Sequence, residues 1–214
     1  QEVAAVAGVN EQAVRKGMAA IAVTWDARRA AIGMDQALAK DAPEVFDIER
    51  STAPNANELP LLPTAWRGNL RGPFRSSFLM KPYKATEAIS AAEAGGPEAG
   101  VVVSASFETQ TQSHSALEPH SCVAEWKGDK LTVYLSTQNC TGMAEDLAKH
   151  FKVKESDLQV LCEYVGGGFG AKCTLQMEAR AAVSLARTAG KPVRVVYDRE
   201  EELLNGGTRP GSRQ

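Results

Sequence analysis

Hydrophobic positions in this chain follow two different periods, and the clearer patterns lie in its second half. Residues 101–107, 122–126, 131–135 and 193–197 are apolar stretches with β-branched members, which predicts strands. Residues 158–165 contain neither Gly nor Pro and predict another. Lys127-Gly128-Asp129-Lys130 between two of these reads as a hairpin turn. The period then changes. Met143, Leu147, Ala148 and Phe151 share one face of a helix that follows Asn139, with Thr141 as its expected cap. Leu175, Ala179, Ala182, Val183 and Ala186 predict a second helix over 174–189, stopped by Gly190 and Pro192. From Leu131 onward the expected order is therefore β-α-β-α-β.

Upstream the pattern is weaker. Asn10 is placed to cap a helix over 11–20, and 21–25 reads as a strand. Short helices are expected over 34–40 and 83–92, the second ended by Gly95-Gly96-Pro97. Between 51 and 75, Pro54, Pro60, Pro63 and Pro73 with Asn55, Asn57 and Gly68 predict a long irregular segment. Trp66 and Phe74 there, and the nearby Phe78, are expected to dock on a neighbouring surface. From Asp198 the chain turns polar, and 206–210 reads as a loop. The expected division is 1–26 as the tail of a preceding small α/β domain, 27–100 as an irregular connection, and 101–214 as the truncated first part of a larger domain. Gln1 at the start and Gln214 inside a loop make a fragment the expectation. The fold class is α+β, with mixed sheets and packed helices.

Composition removes several functions. A net charge of −2 with no basic cluster offers no field for nucleic acid. No apolar run reaches the length of a membrane span. Cys122, Cys140, Cys162 and Cys173 show no CxxC spacing, so no zinc or iron–sulfur site is expected, and Cys122 and Cys162 read as buried free thiols. His114 and His120 have no third convergent ligand in view and read as structural hydrogen-bonding groups, and Glu118 as a residue that holds a loop.

The densest chemical signal is Gly166-Gly167-Gly168-Phe169-Gly170-Ala171-Lys172, expected on a strand-to-helix turn. Glycine permits positive φ and lets a ligand lie against main-chain N–H groups, and a helix start there would favour an oxyanion. One reading is the dinucleotide fingerprint G-x-G-x-x-A, with Asp198 at the end of the next strand as the ribose acid. That spacing exceeds the usual ~20 residues, and more than half the chain precedes the loop. A further alternative is a non-catalytic assembly module that docks through the 51–75 segment.

Two other segments join the glycine loop: Leu117-Glu118-Pro119-His120 and Ser136-Thr137-Gln138. In this order and at these separations, with Pro192-Val193 and Asp198-Arg199-Glu200-Glu201 beyond, they resemble the molybdenum hydroxylases of the xanthine dehydrogenase and aldehyde oxidase type. The resemblance is densest over residues 101–204 and points to the family's molybdopterin-binding large subunit. It implies a molybdenum–molybdopterin cofactor that oxidises an aldehyde or hydroxylates an N-heterocycle with oxygen from water. Electrons would leave to iron–sulfur and FAD centres on other domains or subunits, and the remainder of the large subunit would be a partner. Gln138 matches the glutamine whose amide lies near the metal's oxygen ligands. Phe169 matches the phenylalanine beside the metal, and Gly167, Gly168 and Gly170 match backbone that lines the cofactor. Xanthine-type enzymes have a purine-binding glutamate where this chain has Cys173, which argues for a substrate other than a purine and makes Cys173 substrate-adjacent. Ala171 replaces a glycine. The family's glutamate base belongs to a downstream GxGE-type segment that this sequence does not contain, and Glu178 is not its substitute. No catalytic residue is therefore assigned, and the isolated chain is expected to be inactive and free of cofactor.

Overall fold

The computed structural model describes residues 3–44, 66–71, 85–96 and 100–213. The chain divides into two compact units, Gln1–Val23 with Ser106–Gln214, and Thr24–Ala105. In the second unit the described elements are short: α2 (Met34–Leu38), the hairpin β1 (Trp66–Arg67) and β2 (Leu70–Arg71), and α3 (Ala85–Glu93). Asn69 ties that hairpin to the chain around α2 by donating to the carbonyls of Ala37 (3.1 Å) and Pro43 (2.9 Å). The side chain of Trp66, and the whole of Phe74 and Phe78, lie outside the described residues.

The first unit begins with α1 (Glu11–Ala19), where Asn10 Oδ1 accepts from the Ala13 amide at 2.9 Å, the expected cap. Its main body is a four-stranded mixed sheet in the order β7-β6-β5-β8. Strands β5 (Ser121–Lys127) and β6 (Lys130–Leu135) form the expected hairpin, with Gly128 at φ 61° in the turn. Helix α4 (Cys140–Phe151) then crosses over so that β7 (Leu158–Leu161) runs parallel to β6. Helix α5 (Met177–Ala189) returns the chain to β8 (Val193–Val196), antiparallel to β5 at the other edge.

Period two decides which face of this sheet is covered. Cys122 and Ala124 of β5 and Leu131, Val133 and Leu135 of β6 point the same way and are buried against Met143 and Leu147 of α4 and Ala179, Ala182, Val183 and Ala186 of α5. Trp126 closes one end of this core. Its Nε1 donates to the Val183 carbonyl at 3.0 Å, and the Arg187 guanidinium lies 3.9 Å from the ring centroid. Cys122 is the buried free thiol expected, whereas Cys162 is half-buried beyond the end of β7. Burial drives the Cys122 thiol pKa far upward.

Several elements differ from the sequence reading. Residues 162–165 are not strand, because β6 offers ladder partners to β7 only from Leu131 to Tyr134 and the chain beyond Leu161 has none. The helix expected from Thr174 starts at Met177. The carbonyls of Lys172 and Cys173 accept instead from Thr137, Gln138 and Asn139, so this backbone is already committed. The glycine stretch thus sits in a long loop between Leu161 and Met177 and not at a helix start. Asn139, not Thr141, caps α4, its Oδ1 accepting from the Gly142 amide at 3.0 Å. Residues 21–25 and 101–107 form no strand. Ile21, Val23 and Trp25, and Val101 to Val103, remain exposed with no sheet edge beside them among the described residues.

Two elements went unrecognised in the sequence. Helix α6 (Arg199–Asn205) follows a capping box: Asp198 accepts from the Glu201 amide at 2.8 Å while Glu201 accepts from the Asp198 amide at 3.0 Å. Beyond it, β3 (Glu108–Thr109) pairs with β10 (Ser212–Arg213), and β4 (Gln112–Ser113) with β9 (Thr208–Arg209). The two ladders share one register and form a single ribbon, interrupted at Pro210, which has no N–H to give.

Candidate functional site

The glycine loop is held from below by a buried lysine. Lys172 has its side chain fully enclosed, and its three ammonium hydrogens meet three acceptors: Glu118 O (2.8 Å), Ser136 Oγ (2.9 Å) and Glu118 Oε2 (3.1 Å). A buried cation is costly unless paired and fully hydrogen-bonded, and here both conditions are met. Glu118 Oε2 also accepts from the Ser136 hydroxyl (2.8 Å) and the Gly166 amide (2.5 Å). Partial burial pushes the Glu118 carboxyl up, but the Gly166 N–H, Ser136 and Lys172 outweigh it and hold the group below its usual range. One ion pair thus joins the three segments that were separate motifs in the sequence.

A second buried pair supports the next residues. The His120 ring and the Glu202 carboxylate are both almost completely enclosed, with Nδ1 2.9 Å from Oε2 and 3.0 Å from Oε1. Glu202 also accepts from the His120 amide at 2.7 Å, and the His120 Nε2 faces the Ala171 carbonyl at 3.3 Å. Arg199 spans the same ground, donating to the carbonyls of Ala116 (2.8 Å) and Leu117 (3.1 Å). His114 Nδ1 lies 3.3 Å from Gly207 O. Both histidines are therefore structural, and no cluster of three metal-ligating side chains exists among the described residues.

Above this support the loop presents main chain. Gln138 turns its Oε1 inward to accept from the Gly170 amide (3.0 Å) and the Lys172 amide (3.3 Å). Its Nε2 makes no hydrogen bond among the described residues, and the residue as a whole is exposed. A Cβ at Gly168 would run into the Gln138 side chain, so a larger residue there would displace that carboxamide. Gly170 takes φ 96°, a conformation that side chains rarely adopt. The amides of Gly167, Gly168 and Phe169 make no hydrogen bond among the described residues. Phe169 has φ 53°, an unusual value for a bulky residue, and the residue is 69% exposed. Strain of about 1 kcal/mol or more at such a residue marks a position where orientation is being enforced. The ring lies over Gly167, where an added Cβ would meet it at 3.2 Å.

The site residues named from sequence are neighbours: Gln138 abuts Gly168 and Gly170, and Phe169 lies over Gly167, while Gly168 itself is buried. Cys173 joins them, with Sγ 3.7 Å from Gln138 Oε1. Sequence reasoning missed Lys172, Ser136 and Glu202 as the support, and only the capping box at Asp198 offered a local signal for the helix that carries Glu202. The ribose role considered for Asp198 fails. Its carboxylate caps α6, and β8 lies at the far edge of the sheet from β7, with two strands between them.

The surface fits an oxygen-rich, partly planar group. The amides of Gly167, Gly168 and Phe169 and the Gln138 Nε2 have no hydrogen-bond partner among the described residues, so this neighbourhood holds neutral donors beside the exposed Phe169. Among the described residues, no helix is long and apolar enough to cross a membrane.

Residues 81–214 match the model of the molybdopterin cofactor-binding domain. The aldehyde oxidoreductase molybdenum-binding subunit of Escherichia coli K12 is 39% identical over 116 residues, covering 54% of this chain and 16% of that subunit. A probable hypoxanthine oxidase of Escherichia coli O157:H7 is 28% identical over 218 residues, 97% of this chain and 22% of its own. CO dehydrogenase from Oligotropha carboxidovorans superposes with a TM-score of 0.49 at 28% identity, over 54% of this chain and 14% of that one. The chain spans between a sixth and a quarter of the length of these curated relatives.

Proposed function

The chain belongs to the molybdopterin cofactor-binding domain family, and from that premise we propose that it is part of the large subunit of a molybdenum hydroxylase. The observation that carries the proposal is Gln138 folded onto the glycine loop, with its Nε2 and the amides of Gly167, Gly168 and Phe169 making no hydrogen bond among the described residues. When bound, the molybdenum–molybdopterin group supplies the two-electron oxidation of the substrate, with the inserted oxygen drawn from water. This chain's residues position and enclose. Gln138 donates to the cofactor's oxygen atoms without adding charge, the amides of Gly167, Gly168 and Phe169 line its surface together with Gly170, and the Phe169 ring limits water at the exposed side. Iron–sulfur and FAD centres elsewhere in the assembly take the electrons.

Cys173 favours an aldehyde over a purine. A thiol beside Gln138 offers no carboxylate to pair with a purine's N–H groups, and the relative with 39% identity is an aldehyde oxidoreductase subunit. The catalytic base comes from outside these residues, so the 214-residue chain alone turns over no substrate.

The test uses the full-length parent protein with its accompanying subunits, an artificial electron acceptor and ¹⁸O-labelled water. Oxidation of an aromatic or aliphatic aldehyde with label in the carboxylate product, at a kcat/KM well above that for hypoxanthine, is the expected result. Preference for the purine would overturn the substrate assignment, and no labelled product from either class would overturn the hydroxylase reading.

A further inference from the structure

Side chains from α4 and from the start of α5 line a cleft of about 400 Å³, a volume within the range of small-molecule sites. Asp146, Lys149 and His150 come from α4, Leu175 and Arg180 from α5 and the turn before it. None of the five belongs to the glycine loop or to its support. Asp146, Lys149 and His150 stand at i, i+3 and i+4, so the helix itself puts them on one face. Opposite charges at such spacing often pair, yet none of Asp146, Lys149, His150 and Arg180 makes an ion pair among the described residues.

Arg180 is the clearest case. Its guanidinium makes one hydrogen bond among the described residues, from Nη2 to the Leu175 carbonyl at 3.4 Å, and its enclosed Nε meets no acceptor. A donor taken out of water without an acceptor is destabilising. Its place in the helix adds to this. Arg180 lies in the first turn of α5, at the positive end of the helix dipole, where a cation is disfavoured and an anion favoured. The dipole of α4 accounts for Lys149 and His150 in its last turn, but the dipole of α5 opposes Arg180. An anion in the cleft would answer the charge, the unspent donors and the helix end together.

We propose that this cleft binds a small phosphate monoester that carries a free hydroxyl group. Arg180 presents a planar fork that grips two phosphate oxygens, and Lys149 supplies the second positive charge. His150 adds a ring N–H donor. Asp146 decides between ligands. Its carboxylate repels a bare phosphate ion but accepts from a hydroxyl a few bonds away from the phosphorus, so the ester gains a contact that the free ion lacks. Leu175 offers an apolar wall to the carbon skeleton. The inference uses no residue of the glycine loop and stands whichever group that loop holds.

The experiment is equilibrium dialysis of ¹⁴C-labelled glycerol 3-phosphate against the full-length parent with its subunits. Saturable binding near one equivalent per large subunit is expected, displaced by unlabelled glycerol 3-phosphate and not by glycerol. Inorganic phosphate should displace it several-fold less well. Arg180→Gln should weaken binding about tenfold or more, through loss of a charge-assisted pair. Lys149→Gln, at an exposed position of α4, should weaken it several-fold and decides the matter even should the Arg180 variant fold poorly. Asp146→Asn should bring inorganic phosphate and the ester closer in affinity. The proposal is overturned if no saturable binding is found, or if affinity is unchanged in folded Arg180→Gln or Lys149→Gln. It is also overturned if inorganic phosphate competes as well as the ester in the parent, the mark of a simple anion site.

Discussion

The sheet core and the glycine loop lie next to each other and are held by different physics. In the core, Leu131, Val133, Leu147 and Val183 are fully enclosed by apolar neighbours, and area removed from water does the holding. Under the loop, the enclosed side chains are Lys172, His120 and Glu202, held by charge and hydrogen bonds. Apolar packing tolerates sliding and repacking. A lysine whose three hydrogens are each assigned to an acceptor tolerates neither, so the loop's position is specified to within a hydrogen bond. The loop can then leave its upper face unpaired, which is what a ligand surface requires.

The first way to break this comparison is to remove the cation. Lys172→Met leaves the one-third-exposed Glu118 without its counter-charge beneath Gly166, and unfolding free energy should fall by about 1–3 kcal/mol in urea titrations. The brace also has an acid limit. Because the Glu118 carboxyl is held low in the folded chain, its contribution is complete above the unfolded value of about 4.3 and is lost as pH falls through the lower folded value. A Lys172→Met chain as stable as the original would show the pair to be ornamental. Deleting apolar volume in the core makes the complementary change. Leu147→Ala should cost about 3 kcal/mol with little pH dependence, measured in the same titrations at pH 5 and pH 8.

A smaller effect of opposite sign belongs to Glu178. This carboxylate is buried in α5, its Oε2 has no hydrogen-bond partner among the described residues, and burial raises its pKa against the opposing influence of His120. The folded chain then holds the proton more tightly than the unfolded chain does. Its cost is absent below about pH 4.3 and grows as pH rises through the folded value. Glu178→Gln should therefore be neutral near pH 4 and stabilising by about 1 kcal/mol at pH 8, and a stabilisation equal at both pH values would contradict the assignment.

This contrast also explains what was readable in the sequence. Leu131, Val133 and Leu135 alternate, and Met143, Leu147 and Ala148 recur at helical spacing, so the core announced itself through local period. Lys172 carries no such mark. Its partners Glu118 and Ser136 are 54 and 36 residues away in sequence, and Glu202 is 82 from His120. Only the ordered motifs brought these segments into one view, as residues of a family and not as a hydrogen-bonded set. Gln138 and Gly167 to Gly170 were named through the family resemblance; the glycines alone declared only that a ligand could approach the backbone. The local errors have a common cause. Residues 162–165 and 174–176 have strand-like and helix-like sequence, but the first lack a ladder partner and the second follow Lys172 and Cys173, whose carbonyls are already bonded to residues 137–139.

The central claim is that the unpaired upper face of the loop holds a molybdopterin cofactor, and the molybdenum content of the full-length parent tests it most directly. Gly168→Ala puts a methyl group into the space occupied by the Gln138 side chain while leaving the Lys172–Glu118 brace unaltered. Elemental analysis of the purified, folded assemblies should find close to one molybdenum per large subunit in the parent and a loss of tenfold or more in Gly168→Ala. Molybdenum bound equally by both, or by neither, would contradict the account.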